Sequence, residues 1–357
     1  MLDMNVRARC LFPASLALLL VTRGALAAPR ALPAGCDPAT PDTCLYISDL
    51  HYGVGVVEGI GLVDPARADY PIPLRVHHPA GAVGARPVVI WNHGGLPSPR
   101  GDTRSEEWGQ ALAAAGYVVI HPSRVPVADP SPYQSECADN GFHDPDECAA
   151  WLAEMRFGAL TTRFLLSNFA QLVTQAPVLA GMLDERKIVV AGHSAGTATV
   201  MAIAGAKQRW RPAGPVYQER DERPLAFLAT GPQGPTYAGF NAGLGSGSFL
   251  EVERPFMFIT GVGDETGEPS ESRTTGWLTS LPGNKVLSWD TSPEAVHETM
   301  DIHKCTGATR TQHCAWIASA GIAFLDAIVR KRPEARDWIA SDALWVLSTG
   351  AIEIHRR

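Results

Sequence analysis

Short, dense apolar runs separated by helical patterns organise this chain. Compact runs occupy 87–91, 117–120, 188–191, 224–229, 255–260 and 285–289. Their length and Val/Ile content fit strands buried on both faces. Two further segments, 54–63 and 70–77, flank Asp64-Pro65-Ala66-Arg67-Ala68-Asp69 and predict a hairpin. Gly53-Val54-Gly55 opens the first of them, where it reads as a strand entry and not as a phosphate loop. Between the runs lie helical patterns. One has Glu106-Glu107 near its start, an apolar face from Trp108 to Leu112 and Gly116 after its end. Others cover 149–175, 197–206, 315–330 and 336–348.

Buried strands alternating with helices predict the α/β class. The expected form is a mostly parallel central sheet with helices on both faces and an N-terminal antiparallel hairpin. Two stretches fall outside the pattern. Residues 122–147 are polar and Pro-rich, and 231–247 hold six glycines and two prolines. Loops of that length in a compact domain commonly line a binding site.

Composition narrows the class. Of 357 residues, 45% are apolar and 19% charged, too apolar for a disordered chain. The net charge of −7 offers no broad basic field, which argues against nucleic acid as a partner. At the start, Arg7 and Arg9 precede an apolar segment over 11–21 and then Ala25-Leu26-Ala27. This reads as a signal peptide over 1–27, followed by a segment over 28–53 and one main folded domain over 54–357. Leu32-Pro33-Ala34-Gly35-Cys36 is a poor lipoprotein box, being proline-broken and far from the apolar run. Export to a secreted or periplasmic location follows, with no integral membrane span in the mature chain.

Cys10 leaves with the leader. The remaining six cysteines fall into close pairs, and the economical pairing is Cys36–Cys44, Cys137–Cys148 and Cys305–Cys314. Bridges over such short spans brace loops more than they hold a core. No ligand spacing suggests a metal, and no cofactor is implied. His297-Glu298-Thr299-Met300-Asp301 resembles half of a zinc-protease helix, but Asp301 stands where the second histidine is needed.

The chemistry centres on Gly192-His193-Ser194-Ala195-Gly196, between the run 188–191 and the small-residue helix that follows. A strand, sharp turn and helix would hold the Ser194 hydroxyl above the sheet and aim the Ala195 amide at the same space. Asn92-His93-Gly94-Gly95 ends another strand, Asp264 follows Gly261-Val262-Gly263 at the end of a third, and His297 lies in the loop after the last. In parallel sheets, those carboxyl ends form the active crevice.

The chain order Ser194, Asp264, His297 resembles that of α/β-hydrolases. With Val88-Val89-Ile90-Trp91-Asn92-His93-Gly94-Gly95, Gly116-Tyr117-Val118-Val119 and the segment 184–196, the chain looks like the secreted dienelactone-hydrolase-like and platelet-activating-factor-acetylhydrolase-like serine esterases. The resemblance covers roughly 54–325. Dienelactone hydrolase itself uses cysteine where Ser194 stands, so its lactone substrate is not carried over.

The implied roles are Ser194 as nucleophile, His297 as base, Asp264 as the acid that orients it, and the Gly95 and Ala195 amides as oxyanion donors. Glu265, Glu268 and Asp290 are the alternative acids, and His303 and His313 the alternative bases. His93 is expected to brace its loop and His193 to pack. The expected substrate is a small-molecule or lipid ester. Apolar loops around Phe240, Leu244 and Phe249 could meet lipid or pack as a cap, and a silent binding protein on the same scaffold is the non-enzymatic alternative.

Overall fold

The computed structural model describes residues 31–235, 239–240 and 245–357. The described residues include nine strands: β1 (Gly53–Asp64), β2 (Tyr70–Ala80), β3 (Arg86–Asn92), β4 (Val118–Pro122), β5 (Leu183–His193), β6 (Pro224–Thr230), β7 (Phe256–Gly261), β8 (Lys285–Asp290) and β9 (Ile352–Arg356). They form one sheet in the order β1-β2-β4-β3-β5-β6-β7-β8-β9. The pairings from β4 through β8 are parallel. The antiparallel strands are the hairpin β1–β2 against β4 at one edge and β9 at the other.

The dense apolar runs become the sheet's centre because helices cover both of its faces. Side chains alternate across the sheet, so Val89 and Trp91 share a core with Trp108 and Leu112 of the helix Glu106–Ala114 and with Phe324 of the helix Ala308–Ile328. Trp91 and Trp108 stack with centroids 4.9 Å apart. On the other face, Val88 and Ile90 meet Phe157 and Leu165 of the helix Phe157–Ser167. Val190 and Phe227 meet Val200 of the helix Gly196–Ile203. Burying each such large side chain stabilises the fold by roughly 1.5–3 kcal/mol.

From β3 the chain moves out to β4, then returns to lay β5 on the other side of β3. The connections leaving the carboxyl ends of β3 and β5 therefore run to opposite sides, which leaves a crevice above the paired strand ends, the usual location of ligand sites in such sheets.

The segment before β1 is stitched to the body. Tyr46 Oη donates to Asp326 at 2.8 Å, and Trp338 Nε1 donates to the Cys44 carbonyl at 2.7 Å. Residues 31–357 form one compact unit. The disulfides are Cys36–Cys44, Cys137–Cys148 and Cys305–Cys314, the expected pairing. The expected leader lies outside the described residues. Among those described, no helix is long and apolar enough to cross a membrane.

Several elements differ from expectation. The helix expected over 149–175 is broken into Pro145–Trp151, a π-helical turn Leu152–Arg156, Phe157–Ser167 and Phe169–Gln175. The polar stretch 122–147 carries the helix Gln134–Asp139 and the start of another. The closing helix is two pieces, Pro333–Ala340 and Ala343–Leu347, and β9 follows them. Phe240 and Phe249 face inward, both buried and 5.2 Å apart, so neither offers a surface to lipid. Leu244 lies outside the described residues.

Candidate active site

Ser194 sits at the apex between β5 and the helix Gly196–Ile203 with φ of +52°, a left-handed value rare for a serine. Its amide donates to the Thr230 carbonyl at 3.0 Å, and its carbonyl accepts from the Thr197 amide at 2.8 Å. The flanking glycines are needed for close approach. A Cβ on Gly192 would stand 2.6 Å from the Asn92 carbonyl oxygen, and one on Gly196 only 2.1 Å from it. The end of β3 thus presses directly on the turn that presents the serine.

Asp264 and His297 come to the same place from β7 and from the N-terminus of the helix His297–Met300. His297 Nδ1 lies 2.6 Å from Asp264 Oδ1, and His297 Nε2 lies 2.6 Å from Ser194 Oγ. A proton on Nδ1 satisfies the carboxylate and leaves Nε2 to accept from the hydroxyl. The structure therefore brings together the three residues expected to carry the chemistry.

Asp264 is fully buried. Burial pushes its carboxyl up. The hydrogen bond and charge of His297, with Arg273 and Thr260, outweigh that effect and hold it below the ordinary value. Thr260 Oγ1 donates to Oδ2 at 2.9 Å, and Arg273 Nε lies 3.1 Å from Oδ1.

Arg273 has no counterpart in the sequence reading. Its guanidinium is wholly buried and donates to the carbonyls of Asp264, Pro232 and Thr266, tying the loops after β6 and β7 together. Gly231 was also unanticipated. A Cβ there would come 3.0 Å from His297 Cε1 and 3.2 Å from Asp264 Oδ2.

Of the alternative acids and bases, all but Glu265 are engaged with other partners. Glu265 is exposed. Glu268 accepts from the Gly234 amide at 2.6 Å and from Ser272 at 2.8 Å. Asp290 and His313 form their own buried pair at 2.5 Å, while His303 meets Glu107 at 2.8 Å on the surface.

The neighbouring histidines are braces. His93 Nδ1 donates to the Gly94 carbonyl at 2.8 Å, and its Nε2 accepts from the Arg124 amide at 3.2 Å. His193 does more than the packing expected of it, because its Nε2 donates to the His297 carbonyl at 3.0 Å. Burial, aided by the charge of Arg124 for His93 and of His297 for His193, lowers each imidazole to about 3, so both are neutral.

No family model and no curated protein matches this chain.

At the expected oxyanion donors, Arg124 Nη2 holds the Gly95 carbonyl at 2.6 Å. Gln233, missed in the sequence, sits against Ala195. With its carboxamide oriented to complement both neighbours, its oxygen accepts from the Ala195 amide at 3.1 Å and its nitrogen donates to Glu268 at 3.3 Å. Its place in a glycine-rich loop gave no sequence signal. Two openings meet at Ser194, one of about 610 Å³ beside His297 and one of about 170 Å³ beside Ala195. Among the described residues, no group of three or more His, Cys, Asp or Glu side chains is arranged to hold a metal.

Proposed function

We propose that this chain is an exported serine hydrolase of the α/β-hydrolase superfamily that cleaves carboxylic esters through an acyl-enzyme. One observation carries the reading: the continuous hydrogen-bonded line from Ser194 Oγ through the His297 ring to Asp264. The parallel sheet, the strand–turn–helix around Ser194 and the chain order of the three residues support the superfamily. Three disulfides support an oxidising compartment.

The chemistry follows from the proton positions. His297 Nε2 takes the Ser194 proton as Oγ attacks the ester carbonyl carbon. Asp264, ionised at neutral pH, keeps the other ring proton on Nδ1 and stabilises the imidazolium. The carbonyl oxygen becomes an oxyanion at the amides of Ala195 and Gly95, replacing the Gln233 oxygen at Ala195. One such donor is typically worth about 3 kcal/mol. His297 then returns the proton to the departing alkoxide, which leaves as the alcohol. Water activated by the same imidazole attacks the acyl-serine, releasing the acid and restoring Ser194.

A fluorophosphonate probe tests this. The folded protein is expected to label covalently and the Ser194→Ala variant to stay unlabelled. A folded wild type that does not label would refute the reading.

A further inference from the structure

The two openings at Ser194 differ in the side on which they lie, and that difference has a chemical meaning. The alkoxide that leaves must collect its proton from His297 Nε2, so the alcohol half of an ester lies on the His297 side. The acyl half stays on Ser194 with its oxygen toward Ala195, and its chain runs into the space on that side.

The opening beside His297 is the larger, about 610 Å³, within the range of small-molecule sites. Among the described residues it carries no aliphatic or aromatic hydrocarbon side chain. Its walls are hydroxyls (Thr103, Ser105), cations (Arg104, Lys304) and carboxyls (Glu107, Glu298). Asp301 adds a mostly buried carboxyl whose Oδ2 lies 3.6 Å from His193 Nδ1. Such a wall both donates and accepts and bears both signs of charge. The opening beside Ala195, about 170 Å³, is lined by Met155 from the π-helical turn Leu152–Arg156, with Leu96, Arg124, Glu154 and Gln233 around it.

We infer that the ester cleaved at Ser194 joins a short acyl group to a neutral, polyhydroxylated alcohol, the chemistry of an acetylated saccharide. The inference rests on the serine-hydrolase reading above and goes further by excluding lipid. A hydrocarbon alcohol on the His297 side would lie against the methylene stems and methyl groups of these side chains but leave their charged ends without partners. A long acyl chain on the other side would meet Met155. A sugar's hydroxyls supply donors and acceptors to the wall, and an acetyl group fits the smaller space.

The test uses the purified full chain, first labelled with the fluorophosphonate so that the two readings separate. Turnover is then compared across p-nitrophenyl acetate, butyrate and octanoate, and between acetylated methyl glucoside and octyl acetate. Expected are a fall in kcat/KM on the order of tenfold or more from acetate to octanoate, and a similar preference for the glucoside over octyl acetate. Met155→Ala should raise the octanoate-to-acetate ratio. Glu298→Ala should lower turnover of the glucoside more than that of p-nitrophenyl acetate. Protein that labels yet prefers octanoate or octyl acetate overturns this inference alone. Protein that does not label overturns the serine-hydrolase reading and this inference with it.

Discussion

His193 Nε2 donates to the backbone carbonyl of His297 across 3.0 Å, so the residue beside the serine fixes the chain that carries the imidazole. The two rings lie 4.6 Å apart, and His193, being neutral, holds its neighbour without adding a charge to the site. A displacement of about 1 Å in such a group can cost on the order of 10²-fold in rate.

His193→Ala is therefore expected to lower kcat/KM on p-nitrophenyl acetate by roughly 10–100-fold while the protein remains folded. His193→Gln, which keeps a donor at similar reach, should recover part of the loss. Full activity in the alanine variant would show that the His297 backbone needs no such brace.

Arg273 is expected to matter first for stability. It is wholly buried between Asp264 and Glu268, and its removal leaves carboxylates without their cation. Breaking a buried pair on one side costs about 3–5 kcal/mol, so Arg273→Met should unfold at clearly lower urea concentration. Arg273→Lys should not restore the wild-type midpoint, since an ammonium cannot reach the same spread of carbonyls. An unchanged midpoint for Arg273→Met would contradict the bracing role.

Stability should also depend on pH in two opposite ways. His93 and His193 titrate near 3 in the fold and near 6.5 when unfolded. Below about 6.5 the unfolded chain takes up protons that the fold refuses, so each costs up to about 1.4 kcal/mol per pH unit as pH falls toward 3. Asp301 behaves oppositely. Burial raises its carboxyl from 3.8 to about 8, so its contribution is fully present below 3.8 and is lost as pH rises from there through 8. Melting of the wild type should drop from pH 6.5 to pH 4, the two histidines outweighing the one opposing carboxyl. Asp301→Asn should melt higher than wild type at pH 8, with the gap closing toward pH 4. Parallel curves for the two proteins would contradict the assignment for Asp301.

Much of this was legible in the sequence because it is local. The strands at the sheet's centre are contiguous apolar runs, and Gly192 and Gly196 bracket a serine on a strand–helix turn. The three cysteine pairs are close in the chain. What escaped depends on contacts between distant segments. Arg273 is a polar residue in an irregular stretch, and nothing nearby reveals that its partners come from the loops after β6 and β7. Gln233 meets Ala195 from a glycine-rich loop without helix or strand period. The break at Leu152–Arg156 carries no Gly or Pro to mark it, so the pattern over 149–175 reads as one helix. Strand β9 is short and only half-buried at the sheet edge, which leaves it a weak apolar signal.

The proposed reaction requires Ser194 to become acylated. Rapid mixing of the protein with p-nitrophenyl acetate measures this directly through the first turnover of p-nitrophenol. Expected are a burst approaching one equivalent per chain, an acetyl adduct on the peptide containing Ser194, and neither in Ser194→Ala. A burst that survives in Ser194→Ala, or an adduct on another residue, would contradict it.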